Sequence, residues 1–504
     1  MRANGVQPVR DEAAAPTPKR ARPAALLLVL AAIAAAIAGY FALGKRPDAG
    51  DRGTLAPMTS AQLSEALAAA QAQAGELVNF LASDPALRTW AAQSVGAAST
   101  PYDKAEGLMR ALRARASALA FVPWSLSEPR TTQIADAAHT LTMLQKDRAR
   151  AELYPLEVAG TMVSALRSLG VPAMVAELIS VDGELAPLDP SGYFGYFAVA
   201  VYAGEAGLGT PRLYDPYGGR ALAGGAKSSV LTDAQVIGAA LAIRSLHEAS
   251  YLGDPRKSLE TSSSAIQLAG TLPSVRTARA MAVIAARQIE QGLAELAAAK
   301  QLRADAPRLH NICSVELLTG DVEQATKDLS AALEKAPDFA AAHATAGSLA
   351  LMRGEREQAE AELATAEKLA PDLSMIAWAQ AEQLLRTGDR DQALMVARRA
   401  LTARPSFDAH LRMGVLLREA ARFDELRALT ADLLKMTPPY RQAEVREIVT
   451  QAFGPTALDA DAKDVDDVDD DDVPTPDLGA APKLEEPSLR LRGGDQKFKL
   501  KLSP

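Results

Sequence analysis

The sequence predicts an α+β domain followed by an all-α repeat solenoid. Three observations predict it. Between about residues 154 and 219 the apolar period changes from 3.6 to 2, so a helix gives way to strands. From about Thr232 the period-two signal vanishes. In its place prolines return at 273, 307, 337, 371, 405 and 438/439, in steps of 34 residues with one of 30 and a last of 33 or 34.

Ahead of both lies Pro23 to Gly44, "PAALLLVLAAIAAAIAGYFALG", an uncharged apolar run. As a helix rising 1.5 Å per residue it reaches roughly 30 Å, the thickness of a bilayer core. Arg2, Arg10, Lys19, Arg20 and Arg22 precede it, and positive flanks stay in the cytoplasm. Residues 24–44 are therefore expected to form a transmembrane helix or signal anchor behind a basic cytoplasmic segment, 1–23. Ala36-Ile37-Ala38 offers the alternative of a cleaved signal. The Ala-rich, Arg-over-Lys composition points to a GC-rich bacterium, so the expected location is the inner membrane with the bulk of the chain in the periplasm.

A Pro/Gly/Asp linker, 45–57, leads to helices. Ser60 is the expected cap of the first, Asp84-Pro85 opens a second, and Thr100 caps a third. "YPLEVAGTMVSALRSLG", 154–170, then reads as a helix with proline in its first turn and glycine at its end. Strands are expected at Ala176–Val181, at "YFAVAVY" (196–202) and at the start of "RLYDPYGG" (212–219), with Asp182-Gly183 as a hairpin turn. "GGRALAGG", 218–225, reads as a flexible loop. Helices first and antiparallel strands after indicate an α+β domain over 58–235.

Within 236–455, Gly253-Asp254, Gly320-Asp321 and Gly388-Asp389 recur between the prolines, with Gly354-Glu355 as a variant. Ala325, Ala359 and Ala393 each stand twelve residues before a proline, and Ala332, Ala366 and Ala400 five before it. Small residues at fixed offsets mark close helix crossings. The pattern resembles the tetratricopeptide repeat, most specifically from Pro307 to Pro405. Flanking units at about 239–273, 274–307 and 407–439 are degenerate, as capping repeats are.

Charge and cysteine usage exclude several function classes. Of the formal charge of −8, the stretch 459–477 supplies −9, from ten Asp and one Lys, so the rest is near neutral and nucleic acid is not an expected partner. That stretch repels itself and is expected to be disordered within a tail at 456–504. A single cysteine, Cys313, excludes an internal disulfide and a thiolate metal site. The five histidines are far apart, and no glycine-rich phosphate loop has the right context, so neither metal nor cofactor is expected. In the tail, Phe498, Leu500 and Leu502 alternate with lysines at period two, which suits strand addition to a partner.

The α+β region also resembles the transglutaminase-like, papain-type superfamily, through "ADAAHTLTML" (135–144), "LRSLGVPA" (166–173), "YFAVAVY" and "LYDPYGG". That resemblance implies a cysteine at the helix N-terminus, a histidine on the next strand and an orienting aspartate. Residue by residue it puts Pro155 at the cysteine position and Tyr196 at the histidine position, leaving Asp215 with nothing to orient and only the turn at 216–218 to bond. The resemblance thus implies the fold without the chemistry, in a membrane-anchored interaction scaffold whose repeat groove takes protein partners. The competing reading is a cell-envelope peptidase or acyl transferase with a non-standard nucleophile. A third is a sugar or peptidoglycan binder using Tyr193, Phe194, Tyr196, Phe197, Tyr214 and Tyr217.

The topology is directly testable. A periplasm-active reporter fused after Pro504 is expected to be active and a cytoplasm-active one silent. The opposite pattern refutes the single outward pass.

Overall fold

The computed structural model describes residues 56–115, 133–146, 153–181, 188–204 and 209–458. The apolar run at 24–44, the Asp182-Gly183 turn and the tail with Phe498, Leu500 and Leu502 lie outside them. Among the described residues no helix is long and apolar enough to cross a membrane.

Helices α1 (Ser60–Ala69), α2 (Pro85–Val95), α3 (Pro101–Arg115) and α4 (Ala137–Lys146) lead into α5 (Pro155–Ser168). Asp84 accepts from the Leu87 amide at 2.6 Å and Thr100 from that of Asp103 at 3.1 Å, as short polar side chains do at helix starts. The first helix is capped one residue earlier than expected: Thr59 and Gln62 exchange side-chain-to-backbone bonds, closing a capping box.

α5 packs on a five-stranded antiparallel sheet made of β1 (Ala173–Ser180), β2 (Phe197–Val201), β3 (Arg212–Asp215), β4 (Arg220–Ala221) and β5 (Lys227–Val230). The strand order is β4-β3-β2-β1-β5. Register runs from Ala173 opposite Val201 to Glu177 opposite Phe197, and Val199 lies opposite Tyr214. β2 is buried at every position, which is why it reads as an unbroken apolar run. Two short strands escape the pattern. β4 occupies the expected loop, and β5, "KSSV", is a polar edge strand alternating exposed and half-buried residues.

The solenoid is a series of antiparallel helix pairs: α6 (Asp233–Leu246) with α7 (Pro255–Ala269), α8 (Pro273–Ala285) with α9 (Ile289–Leu302), α10 (Ala306–Thr319) with α11 (Val322–Lys335), α12 (Ala340–Arg353) with α13 (Arg356–Leu369), α14 (Ser374–Arg386) with α15 (Arg390–Ala403), and α16 (Phe407–Glu419) with α17 (Phe423–Met436). α18 (Gln442–Phe453) closes the series. The Gly-Asp turns have a local cause. Gly320 takes the left-handed conformation that ends α10, and Asp321 then accepts from the Gln324 amide to start α11. Gly388-Asp389 follows the same pattern, whereas Glu355 makes no side-chain cap.

The single 30-residue step between prolines has a local cause too. Pro337, Pro371 and Pro405 lie in the connections between repeats, but Pro307 sits inside the first turn of α10, where a missing N–H is harmless. The helices keep their period while the proline moves within it.

Ala325, Ala359 and Ala393 are fully buried, as close helix crossing requires. The core of the sheet domain does not stop at residue 235. One cluster of buried apolar residues runs from Ala74 through α5 and the sheet to Ala278 in α8, so the first helices of the solenoid share it. Three further clusters serve the repeats, a small one from Ala280 to Val315, one from Ala306 to Ile376 and one from Trp378 to Ala457.

Filling such a crossing has a definite expected effect. Ala359→Leu is expected to overpack by roughly 1–3 kcal/mol and to lower the urea midpoint of the whole repeat region, because each unit leans on its neighbours. An unchanged midpoint refutes close crossing at Ala359.

Candidate functional site

The N-terminus of α5 is where the sequence places the centre of any chemistry, and it is fully enclosed. Residues 155 to 166 are all buried. A helix end in such a setting must satisfy its free amides internally. Glu157 does much of this. Its carboxylate accepts from the Tyr154 amide at 2.7 Å and, across the chain, from the Ala135 amide at 2.6 Å. Thr161 and Ser164 return their hydroxyls to the carbonyls of Glu157 and Gly160, both at 2.8 Å. Neither hydroxyl is left for a substrate.

Pro155 fills the first turn with an apolar ring. Phe194 packs beside the residue before it, its ring 4.8 Å from that of Tyr154. Carboxylate oxygens are favoured near a helix N-terminus, and here that place is taken by Glu157 rather than by a thiol. The signal for Glu157 is present in the sequence as a carboxylate three residues after the cap position.

Tyr196 and Asp215 are brought together. The Tyr196 hydroxyl lies 3.1 Å from both oxygens of Asp215 and donates to that carboxylate. Asp215 also accepts from the Gly218 amide at 2.8 Å, which ties the turn at 216–218, and has the Arg220 guanidinium at 3.5 Å. The turn-bonding role expected of Asp215 is therefore only half of what it does. It orients Tyr196, contrary to the expectation that it has nothing to orient. Burial pushes the Asp215 carboxyl up, opposed by its bonds to Gly218 and Tyr196. Burial, then the facing carboxylate, pushes the Tyr196 phenol upward as well, so it stays a proton donor and not a base.

Five of the six aromatics are core, and Tyr193 is half-buried against them. Phe194, Tyr196, Phe197, Tyr214 and Tyr217 are each at most 4 % exposed, and Tyr196 meets Tyr217 edge to face at 6.0 Å. No flat aromatic platform is presented to a sugar at these positions. Among the described residues no three His, Cys, Asp or Glu side chains converge as metal ligands. Cys313 is buried, and burial pushes its thiol up to about 12.

Sequence reasoning missed the polar seam that joins the sheet to the solenoid. Asp189 accepts from Ser191 Oγ at 2.7 Å and from the Phe194 and Gly195 amides at 3.0 and 2.7 Å, folding the segment before β2 into a knob. Asn311 of α10 donates to the Ser191 carbonyl at 2.8 Å, and Arg303 bridges to the buried Glu177 of β1 at 3.0 Å. Partners more than a hundred residues apart leave no local pattern.

On the solenoid, the surface beside α11 and the end of α12 carries an open depression of about 530 Å³, lined by Glu323, Thr326, Lys327, Ser330, Glu334 and Arg353. Two of its cations are engaged, Lys327 with Glu323 and Arg353 with Thr326. The repeat period recurs in the side chains as well. Leu317, Leu351 and Leu385 occupy the same position on α10, α12 and α14 and are each half-buried.

No protein-family model matches the chain, and no curated protein matches it. Solved structures of tetratricopeptide-repeat proteins do. A thermophilic repeat protein of Thermus thermophilus is 19 % identical over 36 % of this chain and 98 % of its own, with a TM-score of 0.32. Pseudomonas aeruginosa PilF is 17 % identical over 37 % of this chain and 86 % of its own, with a TM-score of 0.26. Yeast Tom70 is 17 % identical over 44 % of this chain and 50 % of its own, with a TM-score of 0.32.

One titration inside the repeats has a clear sign. Burial, together with the carboxylates of Asp328 and Asp321, pushes Glu316 up to about 7 against an ordinary 4.5, and Lys300 opposes the shift. The folded chain thus holds a proton that the unfolded chain has released. The stabilisation is complete below about pH 4.5 and is lost as pH rises to about 7. Glu316→Gln is expected to flatten the fall in urea midpoint between about pH 5 and about pH 8. An identical fall in both proteins refutes it.

Proposed function

We propose that this chain is a non-catalytic protein–protein interaction scaffold of the bacterial cell envelope, in which a transglutaminase-like fold without its chemistry is fused to a tetratricopeptide-like solenoid. The apolar segment at 24–44 anchors it in the inner membrane, and the repeats hold protein partners in the periplasm. One observation carries the reading. At the two positions that the resemblance assigns to nucleophile and base, Pro155 has no nucleophilic atom, Tyr196 spends its hydroxyl on Asp215, and both are buried. Nothing there can form or release a thiolate.

Supporting it, the half-buried Leu317, Leu351 and Leu385 place one apolar side chain per repeat at a constant 34-residue interval. A ladder of that kind suits an extended or helical segment of another protein, which offers apolar side chains at regular intervals. The tail residues Phe498, Leu500 and Leu502 are a second contact by strand addition, and their role belongs to this proposal as well.

Activity probes decide the first half. The full chain is expected not to react with cysteine- or serine-directed probes, and Asp215→Asn is expected to lower stability by roughly 1–3 kcal/mol through loss of a buried acceptor, with no turnover to lose. Hydrolysis or acyl transfer that disappears in Asp215→Asn refutes the proposal.

A further inference from the structure

Stacked repeats touch mainly their neighbours, and one contact here breaks that rule. The turn between the first two solenoid helices, α6 and α7, lies against the start of α16 and the segment before α18. Phe407, the first residue of α16, lies flat on Gly253: a Cβ there would stand 2.4 Å from the Phe407 ring. Gly253 has φ of +60°, so this turn tolerates no side chain on two counts. The Tyr440 hydroxyl donates to Asp254, and Arg441 Nη1 donates to the Leu252 carbonyl at 3.0 Å. Arg441 is 4 % exposed and is also held by Glu444 at 3.2 Å. These residues lie more than 150 positions apart, so the series of repeats closes on itself.

The seam is thin. Phe407 packs with the apolar cluster of the last repeats, and the cluster that fills the sheet and first helices does not reach across. The polar links of the seam include two hydrogen bonds, and Tyr440, which makes one of them, is 69 % exposed. The turn itself is irregular: His247–Tyr251 winds as a π-type turn, with the Leu252 amide bonded back to the His247 carbonyl. Such turns are rare and frequent at functional sites. A contact that no shared apolar cluster spans parts at lower free energy than the repeats on either side unfold.

We propose that the contact of Leu252, Gly253 and Asp254 with Phe407, Tyr440 and Arg441 is a releasable latch, which closes the solenoid end to end and opens without unfolding the repeats. The donation from Tyr440 to Asp254 also pushes the Tyr440 phenol up to about 12, as expected of a hydroxyl held to a carboxylate. What opening serves, access of a partner to the repeat surface, rests on the scaffold reading. The latch itself does not.

The test uses the full chain with spin labels on Arg256→Cys and Glu447→Cys, both at exposed positions, while the buried Cys313 stays unlabelled. The otherwise unchanged protein is expected to give one short, narrow distance distribution. Gly253→Ala, which drives a methyl into Phe407, is expected to lengthen and broaden it. Phe407→Ala with Tyr440→Phe, which leaves the turn unstrained, is expected to do the same. In both, the amides of Leu252 and Asp254 should exchange roughly tenfold faster, the scale of losing a ring contact and a hydrogen bond, while α10 to α15 keep their protection. Unchanged distances refute the latch. So does longer distance with protection lost throughout α10 to α15, which makes the contact a keystone of folding instead. Neither outcome bears on whether the chain is a scaffold or an enzyme.

Discussion

The structure is organised around a helix buried on every side. From Pro155 to Leu166 no residue of α5 reaches water, so its polar groups can be satisfied only from within. That constraint explains the carboxylate of Glu157 at the helix start, the hydroxyls of Thr161 and Ser164 folded back onto the helix, and the absence of a side chain on Gly160, whose missing Cβ would stand 2.8 Å from the Phe80 ring. Arg167 closes the other end by a two-pronged bond to Asp233, at 2.8 and 2.9 Å, and so ties α5 to the first solenoid helix.

The same constraint governs the chemistry available there. A nucleophilic cysteine at a helix start needs the free amides and an adjacent base. Here Pro155 has no amide to offer, Glu157 takes that of Tyr154, and the tyrosine just before β2 is turned to a carboxylate that accepts its hydroxyl. Tyr196 and Asp215 form a buried hydrogen-bonded pair that belongs to the core. Burial disfavours the charged form of both, and the Tyr196 hydroxyl offsets part of that for Asp215, while the Asp215 carboxylate keeps the phenol protonated.

In the solenoid, the repeat is a solution to a local problem solved several times. Glycine ends one helix in a conformation other residues avoid, and aspartate begins the next by capping it. Alanine at the crossing then allows the two helices to approach. None of these devices needs knowledge of distant residues, and the period of 34 survives even where Pro307 has moved into a helix. The polar seams, Glu177 with Arg303 and Asp254 with Tyr440, are of the opposite kind, joining parts that share no local pattern.

What the sequence by itself determined follows from short-range physics. The change of period after Gly170, the caps at Asp84 and Thr100, the Gly-Asp turns and the buried alanines all depend on residues within one or two turns of each other, and all were legible, although the strand begins at Ala173 and not at the expected Ala176. The edge strand at 227–230 was not legible, since "KSSV" has no apolar alternation and becomes a strand only because β1 offers it an unpaired edge. Nor was the partner of Asp215: its bond to Tyr196 spans nineteen residues and exists because β2 and β3 are adjacent in register. The tertiary structure alone decided that the sheet core runs on into the first solenoid helices and that the last repeat returns to the first. Both rest on contacts between distant segments, whose free energy appears only when the chain has brought them together.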